Sequence, residues 1–516
     1  MLSIVAAAAL LAAQMPPAAT GLTPRDSAFH ALNRLAYGAR PGEADSVARV
    51  GVMRWIEQQL DPDRIPDAHL TAREREFKIL GYDRGDLAER YRDAQRERQR
   101  MQREAAATGD SSRMRGARPM QEFRELGGEL QQLALVRAAV SERQLREVMV
   151  DFWTNHFNVF VGKGADRFLL PSYVEETIRP RALGRFEDLL IATARSPAML
   201  FYLDNAQSVA PGSSPPAPLS AMRRGGTGVR RRQPTGINEN YARELMELHT
   251  LGVDGGYTQQ DVINVARIFT GWSIQQPDRG AGFVFHDWAH DQGDKVVLGQ
   301  TFRSDGEDEG IRLLKFLANQ HATMHHVSAK LCARFVAEEP PDGCVDAAVA
   351  AWQQTHGDMR AVLRAIFTSP DFWAPQVVRA KVKTPFEFVV SAVRAAGIEP
   401  DATPRLAQVV ARLGQPLYQQ PAPTGYAETE AHWVNSGALL ARMNAALMLA
   451  RQSASISNVD DHAQLVDAID QQLLAGTMSA HTKSVILAQL TDINDATQAR
   501  TMALGLALGG PDFQKQ

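Results

Sequence analysis

Residues 238–272 read NENYARELMELHTLGVDGGYTQQDVINVARIFTGW and gather acids, amides and an imidazole at helical spacing. Glu244 and Glu247 stand three apart, so on a helix their carboxylates project together. Such a pair repels unless a cation, an arginine or a shared proton lies between. Paired carboxylates do general acid/base work or ligate a metal inside a helical bundle. Equally, Arg243 is four residues from both Glu239 and Glu247 and offers ordinary surface ion pairs. Asn240 shares the Glu244 face and would orient a ligand, with Arg243 holding its carboxylate and Trp272 closing the stretch as a third ligand-binding residue. His249 lies near the helix end, where the dipole favours the protonated imidazole, and it joins the metal candidates.

A second cluster follows an apolar stripe of Leu145, Val148, Met149, Phe152 and Trp153. Asn155 and His156 continue that stripe where the pattern asks for apolar residues. Leaving such groups buried and unsatisfied costs ~1–3 kcal/mol each. They are therefore either a satisfied structural knot or part of a site, with His156 as general base or ligand and Asn155 orienting the reactant. The catalytic candidates are His156, Asn155, Glu244 and Glu247. A third cluster, FVFHDWAHDQGDKVVLGQTF at 283–302, holds His286, Asp287, His290 and Asp291. His290 and Asp291, with His249 or a helix carboxylate, suit a divalent metal such as zinc, manganese or iron by ligand type. Their spacing matches no specific motif such as HExxH. The acids at 254–261 lack the alternating oxygen ligands of a calcium loop.

The elements that must position these residues are almost all helical. Apolar residues recur at helical period through most of the chain, which gives a mainly α fold, a multi-helix orthogonal bundle. One small β-hairpin is expected at 282–302, where Phe283 and Phe285 alternate, Gln292-Gly293 turns, and residues 295–298 return. Four regions follow from the composition: a leader at 1–20, a charged helical region at 21–140, a central core at 141–336, and a C-terminal helical region at 337–516. Residues 105–119 read as a flexible loop. Residues 206–236, with prolines and five arginines among glycines, read as a mobile loop; those arginines either grip an anionic ligand or are simply solvated.

The 516 residues are 44% apolar, enough for two or three packed subdomains. With 56 basic and 59 acidic side chains the net charge is -3, which argues against a nucleic-acid binder. No long apolar run crosses a membrane in the body of the chain. Residues 4–13, apolar and followed by Pro16-Pro17, resemble a secretory signal without its basic start, so a periplasmic or secreted location is expected. Cys332 and Cys344 are either one disulfide closing a short loop or two free thiols.

The stretches FWTNHFNVF (152–160), NENYARELMELHTLGVDGGYTQQDV (238–262), FTGW (269–272), HDQGDKVVLG (290–299) and HWVNSGALLARMN (432–444) resemble the bacterial family of unknown function numbered 1800. HALNRLAYGARPG (30–42) and GGPDFQ (509–514) resemble its ends. The resemblance implies an exported, mainly helical protein without a settled activity. It also implies a partner among exported proteins related to alkaline phosphatases and sulfatases. Gly425-Tyr426 stands where many relatives have Gly-Trp, and residues 206–236 look longer and more basic than usual. Two functions stay open: a scaffold or partner for such an exported protein, and a metal-assisted envelope hydrolase with a His/Glu/Asp centre.

Overall fold

The computed structural model describes residues 21–108, 118–214, 236–276, 279–453 and 459–516. The expected leader at 1–20 lies outside these residues. So do 109–117 of the expected flexible loop, and 215–235 of the expected mobile loop with its five arginines.

The fold is mainly α, as the periodicity requires. Helix α1 (Pro24–Leu35) opens on a capping box, Thr23 and Asp26 each satisfying the other's backbone N–H. Next come α2 (Arg118–Val140) and α3 (Gln144–His156). The central stretch forms α4 (Asn240–Glu244), which passes into a π-helical turn at Leu245–His249. Thr258 and Asp261 then cap α5 (Gln259–Ile268) reciprocally, as their spacing predicts.

The strands correct one expectation. Phe283 and Phe285 do not pair with residues 295–298. Strand β1 (Trp272–Ile274) pairs antiparallel with β2 (Phe283–Phe285), and β3 (Lys295–Val297) pairs with β4 (Gln300–Phe302). The reasons are local. Gly271, just before β1, takes a φ of +85°, and a Cβ there would lie 2.6 Å from the His286 carbonyl oxygen, so only glycine lets the start of β1 lie this close to the end of β2. Leu298 and Gly299 both have positive φ, the two-residue turn that joins tightly twisted strands. The hairpin therefore closes at 298–299 and not at 292–293.

Beyond the strands lie α6 (Glu307–Ala318), α7 (His321–Phe335), α8 (Asp342–Thr355), α9 (Pro385–Ala395), α10 (Arg405–Arg412), α11 (Ser436–Ala450) and α12 (Ala496–Gly509). Every residue of α9 is buried, the signature of a helix at the centre of a larger core. Its two charges reach outward. Glu387 pairs with Arg334 of α7, while Arg394 donates to the Gly38 and Ala139 carbonyls and pairs with Glu43 at 2.9 Å. Helices α11 and α12 lie close because Gly505 and Gly509 face Leu447 and Met443; added Cβ atoms would sit 2.6 and 2.5 Å from those side chains. Buried apolar residues from Ala28 to Phe513 form one cluster. Among the described residues no helix is long and apolar enough to cross a membrane.

Cys332 and Cys344 are bonded, with Cα atoms 6.2 Å apart, and both are buried. The bridge ties α7 to α8. Removing a cross-link of this loop length costs about 3 kcal/mol in the chain-entropy account. Replacing both cysteines by alanine should lower the urea midpoint accordingly; an unchanged midpoint would mean the bridge adds nothing to the stability of the fold.

Candidate acid–base chamber

Helix α3 and the segment just after it present Asp151, Asn155 and Asn158 at spacings of four and three. All three line one cavity beneath residues 414–429. The two asparagines hold that loop. Asn155 donates to the Tyr426 carbonyl at 2.9 Å and accepts from the Tyr426 N–H at 2.7 Å. Asn158 donates to the Gln420 and Ala422 carbonyls, both at 2.9 Å. Gly425 takes a φ of +73°, and a Cβ there would lie 2.4 Å from the Asn155 carbonyl oxygen. Asn155 therefore acts on the loop backbone, through both the nitrogen and the oxygen of its amide.

Two cavities of about 40 Å³ each lie behind the loop and share Asp151, Thr154, Leu417 and Tyr418 as walls. At ~10–15 Å³ per water, each holds about three waters. The arginines lining this chamber are paired. Arg137 contacts Glu74 at 2.7 Å and Glu175 at 2.5 Å; Arg179 grips Glu147 with two bonds of 2.7 and 2.8 Å. Arg334 pairs with Glu387 and stands 3.7 Å from Glu428. Asp151 is the exception: it makes no side-chain hydrogen bond or ion pair with any described residue.

Burial pushes the Asp151 carboxyl up to about 6, against the attraction of Arg334 and with help from the Glu428 charge. Two amines nearby are pushed the other way. Burial lowers Lys381 to about 7 and Lys330 to about 8, with Glu428 opposing in both. Lys381 donates to the Ala333 and Arg334 carbonyls at the end of α7 and stands 3.8 Å from Glu428. Asp151 and these two amines share Glu428 as a neighbouring charge, and their protons move near neutral pH.

The residues singled out from the sequence occupy four separate places. Asn155 is at the chamber. His156 is buried beside it, its Nε2 facing the His249 carbonyl at 3.2 Å. Burial drives the His156 imidazole well below its usual range, with Lys330, His249 and His326 adding to the effect. His249 is lowered to about 3, chiefly by burial. These imidazoles are neutral at physiological pH, so the expected helix-dipole protonation of His249 yields to desolvation.

Glu244 and Glu247 form the second place. Glu247 stands 3.6 Å from Arg243, and the Glu244 carboxyl is raised by burial and by Glu247. Asn240 donates to the Leu203 carbonyl, and Arg243 also reaches Gln259 and Glu239. The third is Trp272, fully buried against Phe269 and Phe283 at 5.0 and 5.1 Å, a core position with no ligand-facing surface.

The fourth is a buried knot. His290 faces the Thr270 carbonyl through Nδ1 and Glu309 through Nε2, both at 3.0 Å. Lys295 meets the same Glu309 oxygen at 2.9 Å, and Asp291 is held by Arg267. Both His290 nitrogens and the Asp291 carboxylate are thus occupied, and His249 packs elsewhere, against His156 and Phe157. Among the described residues no three His, Cys, Asp or Glu side chains gather to hold a metal. The metal set His290, Asp291 and His249 is therefore not assembled: neutralising partners inside the fold took the groups that a metal would need.

Asp151, Arg334, Lys381 and Glu428 were not singled out from the sequence. One signal was present: Asp151, Asn155 and Asn158 fall on one stripe of α3 and its extension. The partners come from positions far along the chain.

Fold and site define a mainly helical protein with one buried polar chamber sealed by a clamped loop. The chain belongs to the family described as protein of unknown function (DUF1800), which it matches over residues 30–515. No curated protein and no solved structure matches it.

The raised Asp151 carboxyl has a thermodynamic signature. Its folded value lies above its unfolded one, so between about pH 4 and pH 6 the folded state binds more protons and stability falls as pH rises. Asp151→Asn removes that cost. At pH 8 the variant should unfold at higher urea than wild type, by about 2–3 kcal/mol, while at pH 4 the two should coincide. Equal stability at both pH values would show that Asp151 titrates as an ordinary surface carboxylate.

Proposed function

We propose that the protein is an exported enzyme that transfers protons within the chamber, with hydrolysis as the reaction class. One observation carries this reading: Asp151 is the chamber carboxylate without a partner, held near 6 among otherwise paired charges. Above that pH it is ionised and can accept a proton from water or from a reacting hydroxyl. Glu428 lines the chamber with Asp151 and stands 3.7 Å from Arg334 and 3.8 Å from Lys381, whose amine is lowered to about 7 by burial. The reaction is written without a metal, because the residues named for one do not come together. Export is supported by the Cys332–Cys344 bridge, since disulfides persist in oxidising compartments.

A second reading is a partner of an exported phosphatase- or sulfatase-like protein. The resemblance motivates it, and the surface favours it at one place. Leu439 and Leu440 in α11 are 44% and 64% exposed, within the matched stretch 432–444, and exposed apolar side chains mark docking faces when they are contiguous.

The two readings part on one measurement. The purified protein is assayed against chromogenic esters, phosphate and sulfate monoesters, and glycosides, with Asp151→Asn alongside. Turnover by wild type, reduced roughly 10²–10⁴-fold in the variant and falling off below about pH 6, supports the enzyme. No turnover across the panel, or an unchanged rate in the variant, overturns it and leaves the partner reading, for which Leu440→Glu should abolish co-purification.

A further inference from the structure

A groove of about 740 Å³ runs outside the chamber, between α2, α10 and the loop at 414–429. That volume is in the range of ligand sites. Its floor contains Gly127 and Gly128, in the interior of the 23-residue helix α2. Glycine is the least favourable residue after proline for such a position, so a reason is needed, and packing does not supply one. A Cβ on Gly127 would meet nothing within 4 Å, and one on Gly128 would make only ordinary contact with Pro404 at 3.5 Å. What the missing side chains leave is open floor, flanked by Phe123 and Leu170.

The rim has a different chemistry. Arg124 and Arg167 are exposed and pair with no described acid, and with Glu125 as the one acid on the lining the groove keeps a net positive charge. Gln408 and Gln419 present amides that both donate and accept. Tyr418 is a wall of this groove and of both chamber cavities. Its φ of +61° is one that a bulky residue rarely adopts. The groove thus ends against the residue that separates it from Asp151.

We propose that this groove binds an acidic glycan, a chain of sugar rings carrying carboxylate or sulfate groups. Each part of the ligand finds its counterpart. The flat apolar faces of the rings lie on the glycine floor, beneath which Phe123 and Leu170 are buried, hydroxyls meet the glutamine amides, and the acidic groups meet Arg124 and Arg167. An extended peptide finds no strand edge for its main chain here, because the walls are helices and a loop. The proposal stands on residues other than Asp151, so binding and turnover fail separately.

The test is calorimetric titration of the full chain with short oligogalacturonate, a neutral maltooligosaccharide and poly-glutamate. Wild type is compared with Gly127→Leu and with Arg124→Gln/Arg167→Gln. Oligogalacturonate should bind most tightly, and more weakly as salt rises. Gly127→Leu should lose about tenfold in affinity while its melting temperature holds or rises, since leucine favours the helix and meets open space. The double arginine variant should lose the preference for acidic over neutral sugar. Equal or tighter binding of poly-glutamate overturns the glycan assignment; no binding of either sugar, or undiminished binding by Gly127→Leu with a normal melting temperature, overturns the groove as the site.

Discussion

The structure depends on bringing charges into the centre of a helical core without leaving them alone. Helix α9 is enclosed on every side, yet carries Glu387 and Arg394. An unpaired ion there would cost several kcal/mol. The Glu387–Arg334 pair and the Arg394 contacts to Gly38, Ala139 and Glu43 remove that cost only if the N-terminal segment, α2 and α7 all reach α9 in register. Hydrophobic burial alone would tolerate many arrangements of so many short helices. These buried partners single out one, because a misplaced helix strands a charge.

The same requirement explains the chamber. Arg334 neutralises Glu387 on one side and approaches Glu428 on the other, so its position is fixed by the core and not by a ligand. Lys381 is fixed likewise by the last carbonyls of α7, which the helix leaves without intrahelical partners. Asp151 is then the remainder: a carboxylate set among charges that already have partners, with cavity space in front of it. The fold spends its pairing on three arginines and leaves one acid for water or a reactant.

How much of this was legible follows from how local each determinant is. The capping box at Thr258, helix α9 and the corner glycines rest on neighbours in sequence and could be read directly, whereas the matching box at Thr23 was missed. The paired strands could not, because β1 lies before the stretch that looked like a hairpin and the true turn, at Leu298-Gly299, lacks the usual asparagine or aspartate. His290 and Asp291 looked like metal ligands because ligand types and ion-pair types are the same residues. Only the arrival of Glu309, Lys295 and Arg267 distinguishes the two. Asp151 was missed for the converse reason: its character comes from the absence of a partner, and no sequence pattern states an absence. Membership of the family was legible because several long stretches match at once.

Access to the chamber is constrained by how its roof is held. Residues 414–429 are pinned by Asn155, Asn158, Gln131 and Tyr202 side chains and by the Val161 N–H. Gln415 adds a bond back to the start of α9. At ~0.5–1.5 kcal/mol for each such bond, lifting the whole loop would cost a sizeable part of the stability of a typical domain. The loop is therefore a fixed roof. Tyr418 is different, because its backbone is anchored through its carbonyl oxygen while its ring forms the partition between groove and chamber. A roof clamped by amides on one side and Tyr418 on the other thus enclose Asp151, and that burial sustains its raised proton affinity.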